Sequence, residues 1–591
     1  MAKSNYTIEN VYGGGYSAMK SPNSYATAGS LGITTDPRVA NQLKEVSSKL
    51  SSGVKQIELA LVTPQVFDSM PKQQLKEINR LAKLTGIDVS MHGPVIDTAG
   101  MSQQGFSELD RENSERIITN TILRSHELNP DGNVPVTFHS AEGIPGTQWE
   151  MTPEGKKAKR LMAVDRSSGK MAPLEPEILH YPGTKDFEKG RQQTPEDKLN
   201  SYNNTHWINN LTEIESHKKN ADELMGHSLA YLAPILEDLE KGKPIENLTP
   251  EQQNALRQVQ RADVFLNNVE SGFNGLFDKA YKYSDDKTKE ELKKISEYWK
   301  EELSKEKNLN ALNAPLIKSQ LLDNAMAQIR EIYNHTPAPQ LYVPIEEFAT
   351  EQSSKTFGNA AFNAYKKFGD KAPIVSIENP PAGFALSTGE DLKNLVVASR
   401  KQFVEQAVKE GIDKSQAEKQ AEKLIGATWD VGHINMLRKS GFEDKDIIKE
   451  TEVIAPYVKH VHLSDNFGLE HTELPMGMGN VPIKEIMEKL GKQGFEAKKI
   501  IEAGHWWQHF QTPPVRETME AMGSAVYSDG AGPYWNQTSE LYQNYATGFG
   551  MMLPAGHFRT YGIPSFSQLP AELGGQTGGQ GGSRMSGNPM E

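Results

Sequence analysis

Six short apolar segments of this chain end in residues that bind cations. They are Met91-His92-Gly93-Pro94, Phe138-His139-Ser140, Ile377-Glu378-Asn379-Pro380, Trp429-Asp430-Val431-Gly432-His433, His460-Val461-His462-Leu463-Ser464-Asp465 and Ile501-Glu502-Ala503-Gly504-His505. Taken singly, His92 reads as a hydrogen-bonded loop histidine, and Glu378 or Asp430 as a helix cap or ion-pair partner. Taken together, so many imidazoles and carboxylates in one small volume would repel or be desolvated at high cost unless cations bound among them. The chain has no cysteine, which removes thiolate nucleophiles, disulfides and cysteine-based zinc sites. The expected cofactor is therefore a divalent metal held by His, Asp and Glu, zinc foremost with manganese or magnesium as alternatives, at one to three ions per chain. His460 shares the face of His462 but lies deeper, as packing or support. Asp465 and His505 stay open between ligand, support and surface group.

The elements that must position these residues follow from periodicity. Short β-rich apolar runs at 31–35, 56–62, 87–91, 134–139, 374–378, 427–431, 458–463 and 499–502 alternate with helical patterns such as 71–84, 108–127, 390–409, 444–457 and 483–490. Eight βα units in this order predict an α/β fold, a (β/α)8 TIM barrel. In that fold active sites are built at the C-terminal ends of the strands, where the six motifs fall.

The rhythm breaks once. About 230 residues separate strands four and five, far beyond a normal βα loop. Residues 143–210 are Pro- and Gly-rich with few periodic stretches, and 221–334 are helical in pattern. The predicted organisation is a polar N-terminal extension (1–30), a first barrel part (31–142), an inserted mainly helical subdomain (143–371), a second barrel part (372–522) and an irregular C-terminal extension (523–591) with a Gly-rich tail. An insert leaving strand four would emerge at the face of the active site, as a lid or specificity element, or else serve oligomerisation. No apolar run reaches the length needed to span a bilayer, and the N-terminus lacks the pattern of a secretory signal. The expectation is a cytoplasmic chain without a membrane partner. A net charge of −13 argues against a dedicated nucleic-acid binder.

His92-Gly93-Pro94, Ile377-Glu378-Asn379-Pro380, Trp429-Asp430-Val431-Gly432-His433, His462-Leu463-Ser464-Asp465 and Leu474-Pro475-Met476-Gly477-Met478-Gly479 resemble segments of the xylose isomerase-like barrel superfamily. Within it they are most similar to the endonuclease IV (AP endonuclease family 2) branch, over roughly 31–142 and 372–510. The resemblance implies three metal sites: His92, His139 and Glu378; Glu378, Asp430, His462 and Glu502, with Glu378 bridging; and His433 with His471 and Glu473. At the third site the family pattern is Asp-x-His, whereas this chain carries the inverted order His471-Thr472-Glu473. Val95 stands where the branch has a DNA-reading aromatic, and Ser140-Ala141 replaces a Gly-rich continuation.

The activity implied is that of a metal-dependent phosphoester hydrolase of endonuclease IV type, with Glu378 and Glu502 catalytic and a phosphodiester, such as abasic or damaged DNA, as substrate. The alternative is a sugar isomerase or epimerase that uses one metal on Glu378, Asp430, His462 and Glu502, as other branches of the superfamily do. A non-catalytic barrel acting as a scaffold is a third reading.

Overall fold

A computed structural model of the chain describes residues 30–522, apart from 53, 103, 183–186, 241–247, 306–312, 505, 507–509 and 511–512. The N-terminal extension up to residue 29, the C-terminal extension and His505 lie outside the described residues. The chain divides into two compact units, 1–159 with 345–591, and 160–344.

The first unit contains the expected barrel. Its strands are β1 (Leu31–Thr34), β2 (Gln56–Ala60), β3 (Asp88–His92), β4 (Pro135–His139), β5 (Ile374–Glu378), β6 (Ile425–Asp430), β7 (Val458–Leu463) and β8 (Lys498–Ile501). Each pairs in parallel with the next, and β8 closes on β1.

The pleat sorts side chains by a period of two. Val89, Met91, Val136, Phe138, Val375, Ile377, Trp429, Val461 and Leu463 alternate with the chemistry-bearing residues and are buried. On burial alone each large apolar side chain among them contributes about 1.5–3 kcal/mol. Trp429 marks the outward direction, since its Nε1–H donates to Thr451 Oγ1 (3.1 Å) on the helix Asp444–Ile454. The alternate positions form a polar interior. Thr428 Oγ1 donates to Ser376 Oγ at 2.7 Å and lies 2.9 Å from Thr137 Oγ1, while Ser90 Oγ donates to Glu58 Oε2 at 2.9 Å.

Register sets the height of the candidate ligands. His139 pairs with Glu378. Between β6 and β7 the register shifts at Ala427/Thr428, so that Lys459 is passed over and Asp430 comes level with His462. Without that bulge Asp430 would face Val461, whose side chain points the other way.

Amphipathic helices cover the strands where the pattern placed them. In Lys72–Thr85 the residues Leu75, Ile78 and Ala82 are buried at helical spacing, and Gly86 ends the helix at φ 69°, a conformation that favours glycine. Gly389–Lys409 opens with a capping box between Thr388 and Asp391.

The unit 160–344 has its own core. The helices Pro195–Glu240, Pro250–Tyr283, Asp286–Lys305 and Asn313–His335 bury Trp207, Leu266, Phe273, Leu292, Leu322 and Ile329, with the Phe273 and Trp299 rings stacked at 5.7 Å. Two features of this stretch differ from the sequence reading. The first long helix begins at Pro195, well before the helical pattern at 221. The nominally irregular part also holds a strand, Gly155–Asp165, which pairs antiparallel with Met171–Leu174 and with Tyr342–Pro344. Lysines and arginine in Lys156-Lys157-Ala158-Lys159-Arg160 mask its alternation. Asp165 makes the turn, its carboxylate accepting from Ser167 N (2.8 Å) and Ser168 Oγ (2.8 Å).

Candidate metal centre

Glu378, at the end of β5, is the hub. It is fully buried, and its two oxygens face different partners. Oε2 lies 3.1 Å from His92 Nε2 and 3.4 Å from His139 Nε2, whereas Oε1 lies 2.6 Å from His462 Nδ1. His462 Nδ1 is also 3.3 Å from Glu502 Oε1. Burial opposes ionisation of Glu378, but His462 and His92 outweigh it and hold the carboxyl well below its ordinary range. Burial likewise opposes charge on His92, yet its hydrogen bond to Glu378 and the surrounding carboxylates raise it to about 9. His462, ringed by Glu378, Glu502 and Glu58, is raised well above the histidine range against the cost of its burial. The same carboxylates that favour a proton on these rings would favour a divalent cation, which would compete with that proton.

Asp430 closes the set from β6. Its Oδ1 accepts from Gly432 N (2.7 Å), His433 N (2.8 Å) and Ser464 Oγ (3.0 Å), capping the short helix Val431–Asn435. Gly432 is required there, because a Cβ on it would lie 2.1 Å from Ser464 Oγ. Burial, and then repulsion from Glu502 and Glu378 against the pull of His433, raises the Asp430 carboxyl. Donor atoms of Glu378, Asp430, His462 and Glu502 all lie within 4.8 Å of one another, as do those of His92, Glu378 and His462. The mixture of imidazole and carboxylate suits a borderline dication.

The histidines share a construction. His92 Nδ1 is 2.9 Å from the Gly93 carbonyl, and His433 Nδ1 is 2.7 Å from the Asn379 carbonyl; each can only donate there. In the neutral ring Nε2 is then an acceptor, turned in one case to Glu378 and in the other to His471 Nε2 at 2.9 Å. His139 has Nδ1 3.3 Å from Glu142 and Nε2 toward Glu378. One nitrogen anchored to an oxygen and the other aimed at a shared centre is the arrangement of metal-binding imidazoles.

The third group stands on the loop after β7. Asp465 shapes that loop: its carboxylate accepts from the backbone N–H groups of Asn466 (2.9 Å), Gly477 (2.8 Å), Gly479 (2.9 Å) and Val481 (3.1 Å). These bonds satisfy it, so Asp465 positions rather than ligates. His471 meets His433, while Glu473 Oε2 accepts from Gly504 N at 3.3 Å. His433 Nε2 is 3.9 Å from Asp430 Oδ2, so this group adjoins the second. His92, His139, His433, His471, Glu473 and Glu502 all line one cavity of about 290 Å³, with Thr34, Asp36, Lys49 and Val95 on its wall.

Glu58 on β2 escaped the sequence reading. It lies wholly buried beneath the rim, 2.9 Å from His460 Nε2 and 3.0 Å from His462 Nε2. Its signal is a single carboxylate in the buried run Ile57-Glu58-Leu59-Ala60, on a strand that supplies no rim ligand. Glu142, paired with His139, is exposed enough to pass as a loop residue.

A family model described as xylose isomerase-like TIM barrel matches residues 409–524. An uncharacterized protein of Methanocaldococcus jannaschii is 31% identical over 80 residues, which are 14% of this chain and 26% of that protein. A crystal structure of a D-tagatose 3-epimerase-like protein aligns with 84% of this chain and 96% of its own at 13% identity and a TM-score of 0.34. The family match spans β6, β7 and β8 with the helices between them, and the closed parallel barrel to which those strands belong is the one expected: over this part the chain is similar to the xylose isomerase-like TIM barrels.

Proposed function

We propose that this protein is a metal-dependent phosphoester hydrolase of endonuclease IV type, with zinc as the foremost metal. The observation that carries this reading is the continuity of three donor groups. Glu378 has two imidazoles at one oxygen and His462 at the other, and Asp430 leads on to the His433–His471 pair. A one-metal enzyme has no need of His92, His139, His433 and His471 in that succession.

Bound dications would supply Lewis acidity at phosphorus and a water that ionises near neutral pH. Glu502, partly exposed and lining the cavity, would orient that water and accept its proton. Glu378, held ionised and fully enclosed, would keep the two donor groups in register. His433, His471 and Glu473 border the same cavity and would steady the leaving oxygen. The test is scission of phosphodiesters, beginning with abasic and damaged DNA, by the metal-loaded protein. Cleavage should disappear on chelation and fall at least about a hundredfold in Glu502→Gln. A metal-replete protein inert towards the whole panel sinks the reading.

One observation favours the second reading, a sugar isomerase or epimerase. The four-residue set Glu378, Asp430, His462 and Glu502 is compact by itself, and a cavity of about 290 Å³ suits a single sugar. In that mechanism Glu378 and Glu502 exchange protons on opposite faces of the substrate. Elemental analysis separates the two: two to three metals per chain accompany hydrolysis, one accompanies isomerisation.

A further inference from the structure

Glu58 is a buried carboxylate in a place that costs stability unless it is fully used. It sits one layer below the ligands. Its Oε2 accepts from Ser90 Oγ (2.9 Å) and lies 2.9 Å from His460 Nε2. Its Oε1 faces His462 Nε2 at 3.0 Å, an ion-pair contact, and both are buried polar atoms with no hydrogen-bond partner, so each is left to the other. The opposite nitrogen of the same ring, Nδ1, is the one turned to Glu378 and Glu502. A neutral imidazole carries one N–H. With that proton on Nε2, toward Glu58, Nδ1 is left as a lone pair directed at the cluster.

We propose that Glu58 is a positioning residue, one that selects the tautomer in which His462 binds metal through Nδ1, with His460 and Ser90 holding the Glu58 carboxylate in place. His92 and His433 donate their anchoring N–H to backbone carbonyls. His462 sits in mid-barrel on β7, where the backbone carbonyls are engaged in the ladder, so its anchor has to come from a side chain across the barrel. Glu58 on β2 supplies it, and the ionic partner makes the N–H anchor stronger than a carbonyl would. The inference rests on the metal-centre reading above.

Glu58→Gln is the informative substitution because it keeps the shape and changes the donor pattern. A Gln amide presents N–H where a carboxylate oxygen stood. Turned that way it favours the other tautomer, with Nδ1–H pointing at the place of the metal. Zinc affinity would be measured by competition with a chromogenic chelator, on wild-type protein and Glu58→Gln, alongside the melting temperature of each without metal. The expected result is a 10- to 100-fold loss of affinity for one ion in Glu58→Gln, with its metal-free melting transition still cooperative. Equal affinity in the two proteins overturns the role of Glu58. Should Glu58→Gln fail to fold, the zinc-bound wild-type crystal structure decides. Zinc on Nδ1 of His462, with Glu58 on Nε2, is the expected outcome. Zinc on Nε2, or lodged among Glu58, His460 and His462, overturns the proposal. Wild-type protein that takes up no zinc overturns the metal-centre reading along with it, whereas wild-type uptake with an unimpaired variant overturns this inference alone.

Discussion

At the scale of single residues, the barrel interior is a lesson in what burial does to a charge. Glu378 and Glu58 are held low against their burial because imidazoles surround them, and Asp430 is raised by its burial and then by Glu502 and Glu378 nearby. Glu346 shows the opposite outcome away from the centre. It accepts from Thr147 N (2.5 Å) and Oγ1 (3.0 Å), but burial and then the neighbouring Asp391 push its carboxyl up to about 7. A carboxyl with a raised folded pKa binds its proton more tightly in the native state. Its contribution to stability is greatest below the unfolded value of 4.5 and is lost as the pH climbs to about 7. Glu346→Gln should therefore gain on wild type across that window, by about 2 kcal/mol, less than the shift alone implies because the residue retains some solvent contact. Urea unfolding of both proteins at pH 4.5, 6 and 7.5 checks it; a constant difference at all three rejects the assignment.

At the scale of elements, the proposed ligands depend on devices that are not themselves proposed ligands. The bulge at Ala427/Thr428 puts Asp430 beside His462, and the Asp465 clasp folds the loop that carries His471 and Glu473. A Cβ on Gly479 would lie 2.3 Å from both the Asn466 carbonyl and Asp465, so the clasp also demands a glycine there. Asp465→Ala leaves buried N–H groups without their acceptor, at a cost of about 2–4 kcal/mol. The expected result is a lower melting temperature and loss of the ion proposed for His433, His471 and Glu473, while the ion proposed for Glu378, Asp430, His462 and Glu502 is retained. Metal counts by elemental analysis would show one ion fewer per chain; loss of every ion at once would mean that the loop and the rim are not separable.

At the scale of the whole molecule, the proposed ligands all belong to the unit formed by 1–159 and 345–591, and the unit 160–344 carries a core of its own. Among the described residues no helix is long and apolar enough to cross a membrane. Metal should stabilise only the unit that binds it. Free zinc at a hundred times its dissociation constant adds about 2.7 kcal/mol to that unit by mass action. Calorimetry with zinc and with chelator should move the barrel transition and leave the transition of 160–344 where it was. A single transition that shifts as one would show the two units to be cooperative.

Much of the barrel and its rim was legible because both are written in short-range pattern. Apolar alternation defines a strand, and a His, Asp or Glu at its C-terminal end marks the face of the barrel where chemistry is done. That is why Glu378, Asp430, His462 and Glu502 could be named before any coordinates. The strand Gly155–Asp165 was illegible because its charged residues hide the period, and Glu58 because a lone carboxylate has no local partner to explain it. Its partners, His460 and His462, lie 402 and 404 positions further along the chain. Sequence alone thus determined which residues could bind a cation and on which strands they stand. Only the tertiary structure decided which nitrogen of each imidazole faces the centre, and that Asp430 is level with His462. Tautomer and register are set by contacts across the closed barrel, and no local pattern encodes those.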